Sequence, residues 1–72
     1  LDSLRVGATS KLLGRSIREA QVREKTGSYI LAVRSVGGVL NPNPSADTVF
    51  EAGDELVVLG TRSQLSALSA EL

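Results

Sequence analysis

One stretch, from Ser28 to Pro44, most constrains what this chain can fold into. Tyr29, Ile30 and Val33 are aromatic or β-branched, which suits a pleated strand. A glycine pair, Gly37-Gly38, separates this apolar arm from a shorter one at Val39-Leu40. Glycine reaches positive φ without a Cβ clash, so the pair predicts a two-residue hairpin turn. Pro42 and Pro44 lack an amide hydrogen and hold Asn41 and Asn43 extended. Regular pairing is therefore expected to stop near Leu40. The hairpin then runs out into a stiff loop rich in side-chain amides, and recognition of a small molecule is expected there.

The chain has 72 residues, enough for one small domain spanning 1–72. Chains this short bury only about 60% of their unfolded surface and usually need a disulfide, a metal or a partner. There is no Cys and no His, so disulfides, thiolate or imidazole metal sites and an imidazole base are all excluded. A partner chain is the expected supplement. Eight acidic residues balance eight basic ones. Phosphate neutralisation dominates nucleic-acid affinity, so nucleic acid is not an expected partner. No apolar run approaches the roughly 20 residues that span a bilayer, so direct membrane insertion is not expected. The absence of Cys is compatible with a cytosolic location. Leu1 in place of Met points to a piece of a longer protein.

Leu4-Arg5-Val6 alternates and predicts a first strand with Leu4 and Val6 inward. Leu12 and Leu13 are expected to plug a core edge. Ser16 with Glu19 three residues later fits a capping box. Leu13, Ile17 and Ala20 then share a helical face, and this helix is expected to fail by Arg23. Lys25-Thr26-Gly27 reads as a turn, and Arg23, Glu24 and Lys25 as a solvated rim. Beyond the prolines, Ser45 to Gly53 reads as turns anchored by Val49-Phe50. Glu55-Leu56-Val57-Val58-Leu59 predicts a strand, with Leu59 read as its last core residue. Thr61 with Gln64 is a second capping box, opening a helix that carries Leu65, Leu68 and Leu72. Ser63, Ser66 and Ser69 are assigned to its solvent side. The order is β-α-β-β-β-α, an α+β fold with a small, mostly antiparallel sheet and two helices.

Strict alternation would put Tyr29, Leu31 and Val33 on one sheet face and Ile30 and Ala32 on the other. In the later strand, Val57 and Leu59 would oppose Leu56 and Val58. Both strands are thus apolar on both faces, and two short helices cover only one. Loop packing by Phe50 and Leu12 is one way to cover the second face. A second copy of the chain is the other, which makes a homodimer the expected partner.

Several pieces in this order carry a family resemblance. They are Leu13-Gly14-Arg15-Ser16-Ile17, Lys25-Thr26-Gly27, Ile30-Leu31-Ala32-Val33-Arg34, Asn41-Pro42 and the run from Gly53 to Gly60. Together they resemble the TrkA-C domain, the C-terminal lobe of RCK domains (regulators of potassium conductance), over nearly the whole chain. The resemblance implies a cytosolic regulatory domain of a potassium channel or cation transporter, usually dimeric and ligand-sensing. In several members the ligand is cyclic di-AMP (c-di-AMP), held between two such lobes. The nucleotide-binding lobe of that family is outside this chain, since no Gly-x-Gly-x-x-Gly follows a strand.

A symmetric dinucleotide suits a symmetric dimer. Phosphate asks for a guanidinium, and adenine for an apolar slot with an amide partner. Arg34, Val39, Leu40, Asn41 and Pro42 are the candidate ligand-binding residues: Arg34 for phosphate, Val39, Leu40 and Pro42 for an apolar wall, Asn41 for a base edge. Two of them also have a plain structural reading: Arg34 as a surface arginine, and Asn41 as a turn residue preceding proline. Glu51, Asp54 and Glu55 invite a calcium reading, but their spacing is not that of an EF-hand and Asp54 reads as a turn cap. No resident cofactor or metal is expected. No nucleophile elbow is present, so the chain is not read as an enzyme. A ligand-free dimerisation module is the alternative function.

Overall fold

The computed structural model describes residues 1–72. The elements in chain order are β1 (Asp2–Arg5), α1 (Ile17–Ala20), α2 (Val22–Thr26), β2 (Tyr29–Arg34), β3 (Leu40–Pro42), β4 (Glu55–Leu59) and α3 (Arg62–Ser69). The strands form one antiparallel sheet in the order β1-β4-β2-β3. This is the expected α+β architecture, with the first helix divided in two. No helix is long and apolar enough to cross a membrane.

Both capping boxes form. The Glu19 amide donates to Ser16 Oγ at 3.1 Å, and the Ser16 amide donates to Glu19 Oε1 at 2.9 Å. The Ser16 backbone bond, reinforced by its hydroxyl, holds the Glu19 carboxyl below its ordinary pKa. The helix does not fail at Arg23. It breaks at Gln21, whose φ of 50° is left-handed, and resumes as α2 through Thr26. An unbroken helix would set Ala20 and Val22 about 200° apart, at about 100° per residue. The break brings both side chains into the core. Lys25-Thr26 is thus the last turn of α2, and only Gly27, at φ 81°, leaves the helix. A Cβ there would meet the Gln64 side chain at 2.6 Å, so this glycine also lets α3 approach.

In β2 the expected alternation is overturned. Ile30 opposes Val58 while Ala32 opposes Val57, so Leu31 is an extra residue in a β-bulge. The faces shift at that point. Ile30 and Val33 face the core with Val58 and Leu56, whereas Tyr29, Ala32 and Arg34 share the other face with Leu59, Val57 and Glu55. The hairpin forms, but not on a two-residue Gly-Gly turn. Gly38 N donates to Ser35 O and Ser35 N to Val39 O, so Val36-Gly37-Gly38 make a three-residue loop. Only Gly38 has positive φ, +85°, as a G1-type bulge requires.

Pairing also runs further than the prolines predict. β3 continues to Pro42, and Asn43 N donates to Leu31 O at 3.0 Å. Bonded pairs alternate along an antiparallel ladder. The Ser35/Val39 and Leu31/Asn43 pairs are bonded, so Ala32/Pro42 lies at a non-bonded position. The Pro42 nitrogen therefore faces the free sheet edge, where no donor is needed.

The core lies on one side of the sheet. Leu56 and Val58 from β4 meet Val6, Leu12, Ala20, Val22, Val33, Phe50 and Leu68. Leu4, Leu13, Ile17, Ile30, Leu65 and Leu72 pack around that cluster. Leu59 is not a core residue: it is 47% exposed on the opposite face. Asp54 is buried and caps its turn, its carboxylate accepting from Glu51 N at 2.9 Å. Ser63, Ser66 and Ser69 are exposed as expected.

At the start of α3, Gln64 N donates to Thr61 Oγ1 at 3.2 Å and Thr61 N to Gln64 Oε1 at 2.8 Å. Ser28, itself buried, donates its hydroxyl to Gln64 O and ties the helix to the entry of β2. Thr61→Ala is expected to destabilise the fold by about 1 kcal/mol, the size of a lost N-cap. Denaturant melts measure this, and an unchanged midpoint would mean that the hydroxyl does not cap the helix.

Candidate functional site

The uncovered face of the sheet is the candidate site. Helices and loops occupy one side only, so the other carries large apolar side chains with no cover. Leu40 is 45% and Leu59 47% exposed on it, and Tyr29, 46% exposed, stands at its edge beneath Arg23. Packing by Phe50 and Leu12, offered by the sequence as cover for this face, does not occur: both are buried in the core on the other side.

Arg34 rises from this face at the end of β2. Its register partner in β4 is Glu55, and the two form an ion pair with Nε to Oε1 at 3.4 Å. Its Nη1 donates to Gly38 O of the hairpin loop at 3.4 Å. Arg34 is thus held at two points while its side chain stays 48% exposed. Guanidinium has five N–H donors in a planar fork, so most of the fork remains free for an anion.

The register sorts the remaining candidates. Leu40 opposes Arg34 and Pro42 opposes Ala32, so both share the Arg34 face. Asn41 opposes Val33, and Val39 opposes Ser35, which puts both on the other side of the arm. All four are exposed. The structure therefore joins Arg34, Leu40 and Pro42, and sets Val39 and Asn41 apart from them. Sequence reasoning missed Glu55 as the partner of Arg34, because the two lie 21 positions apart and only strand pairing joins them. With Asp54 turned to Glu51 N and Glu55 to Arg34, the three carboxylates of the calcium reading do not converge.

The chain has one hollow, elsewhere: about 140 Å³ between the helices and the start of β2, lined by Ile17, Val22, Ile30 and Pro44. Arg23 lies over the Tyr29 ring at its rim, 3.5 Å from the centroid. Arg23 is thus more than a solvated charge. A cavity of about 150 Å³ holds benzene, so this one is too small for a dinucleotide. A ligand of that size needs the open face and a second surface over it.

The TrkA-C domain family matches residues 3–72 of the sequence. The chain belongs to the TrkA-C family. Among solved structures, this TrkA-C domain is similar to the RCK C domain dimer of S. agalactiae BusR in complex with c-di-AMP. The TM-score is 0.90 and the identity 27%, over 97% of this chain and 85% of that one. It is also similar to the RCK C domain of the potassium transport protein KtrA in complex with c-di-AMP. There the TM-score is 0.81 and the identity 25%, over 99% and 82% of the two chains. Among curated proteins it is similar to potassium channel protein 1 of Methanocaldococcus jannaschii, with 38% identity over 58 residues. That match takes in 81% of the TrkA-C domain and only 17% of the channel protein.

Proposed function

We propose that this chain is a ligand-sensing regulatory domain of a potassium channel or cation transporter, placed on the cytosolic side of the membrane. It works as a homodimer that binds c-di-AMP between its two copies. The observation that carries this reading is the open sheet face. It presents Arg34 among uncovered apolar side chains, in a fold that matches two RCK C domains solved with c-di-AMP. A second copy would cover Tyr29 and Leu59 and close the site over Arg34. Arg34 meets a phosphate, Leu40 and Pro42 wall the adenine, and Asn41 and Val39 reach it from the rim of the arm. The role is regulatory and not catalytic. The resemblance to the M. jannaschii channel protein and to KtrA supports the transport context.

Sedimentation equilibrium and calorimetry test this together. A dimer at micromolar concentration and one c-di-AMP bound per dimer are the expected results, with linear nucleotides and Ca²⁺ giving no comparable heat. A dimer that gives no heat with any nucleotide would leave the dimerisation module as the function. A monomer that binds no hydrophobic dye would remove the interface itself.

A further inference from the structure

Glu55 stands beside the phosphate donor of the proposed site. The strand register, and not chance proximity, places it opposite Arg34, and both project from the open face. Its carboxylate holds Nε at 3.4 Å while the Gly38 carbonyl holds Nη1 at 3.4 Å. The two contacts brace the guanidinium between β4 and the hairpin loop and leave Nη2 unengaged. A side chain so braced loses less rotamer freedom when it takes an anion than a free arginine does.

We propose that Glu55 is a positioning residue for Arg34: it sets the free part of the guanidinium fork toward a ligand phosphate. This rests on the reading that Arg34 binds the phosphate of c-di-AMP. The opposite effect of the carboxylate, repulsion of an incoming anion, is weakened by solvent, since Glu55 and Arg34 are 33% and 48% exposed. What Arg34 needs from position 55 is an acceptor oxygen, and a charge is secondary. Ordering one rotamer-rich side chain changes affinity by about twofold to tenfold. A two-fold ligand meets two such arginines, so the effect per dimer is about 4-fold to 100-fold.

The test is calorimetric titration of c-di-AMP into the parent, Glu55→Ala, Glu55→Gln, Arg34→Ala and the Arg34→Ala/Glu55→Ala double variant, with a thermal melt of each. Glu55→Ala is expected to weaken binding by the stated factor with a melt close to the parent's. Glu55→Gln keeps an acceptor oxygen and is expected to recover most of that loss. In the Arg34→Ala background, Glu55→Ala is expected to change nothing further, because its action passes through Arg34. Tighter binding in Glu55→Ala and Glu55→Gln would make Glu55 a competitor for Arg34 and overturn the proposal. So would unchanged binding, or an equal loss in the Arg34→Ala background, with c-di-AMP binding by the parent still standing. A parent that binds no c-di-AMP would overturn the functional reading and this inference together.

Discussion

Leu56→Ala is expected to cost about 2–5 kcal/mol, the range for removing a fully buried leucine side chain. Leu56 has no exposed surface and sits on β4, between β1 and β2, opposite Leu4 and Val33. Little collapse can fill the void, because strands flank it on both sides. At roughly 0.05–0.15 kcal/mol per residue a domain of this size has about 4–11 kcal/mol in total, so the variant loses a large share of its stability and unfolds outright only where the parent lies at the low end of that range. Leu59→Ala is the control. It lies three positions on but on the open face, 47% exposed, and is expected to cost the isolated chain well under half as much. Denaturant melts at a concentration too low for association compare the two directly. A larger loss in Leu59→Ala than in Leu56→Ala would reverse the faces of β4.

Arg34→Ala is expected to weaken c-di-AMP binding by about two orders of magnitude or more. A charge-assisted hydrogen bond contributes roughly 1.5–3 kcal/mol, and the two-fold ligand loses it twice. Arg34 is half-exposed, so the low end of that range applies to each copy. The melt of the free protein should barely move, because an exposed ion pair such as Arg34 with Glu55 contributes about 0–1 kcal/mol. Asn41→Ala should weaken binding less, since its register places it on the side of the arm away from Arg34. Binding by Arg34→Ala equal to the parent's would move the phosphate contact to another donor. Arg23, stacked on Tyr29, is the next cation to test.

The candidate site was legible in part. Arg34 as a cation beside an apolar hairpin arm could be read from its place at the end of the strand, and the resemblance gave that place a ligand. Leu40 and Pro42 come with it because they lie two residues apart on one arm, and a strand returns to the same face every second residue. Glu55 could not be found that way. Nothing within several positions of Arg34 marks it, and its contact exists only in the β2–β4 register. The hollow beneath Arg23 was equally hidden, since α1, α2, β2 and Pro44 all border it.

What the sequence by itself determined is local. Ser16 with Glu19, Thr61 with Gln64, and the hairpin at Gly38 each depend on groups within about four residues, and each formed where those residues stand. The element order and the two-faced apolar character of β2 and β4 followed from the same short-range patterns. Which face each side chain takes was decided only in the folded sheet. Side-chain direction along a strand is a running alternation, so one extra residue reverses everything beyond it. The bulge at Leu31 is such a residue, and it exists because Ile30 and Val33 both find core partners across β4. The break at Gln21 is of the same kind, turning Ala20 and Val22 toward one core. Both irregularities go against local backbone preference, and burial of apolar groups against distant residues outweighs it.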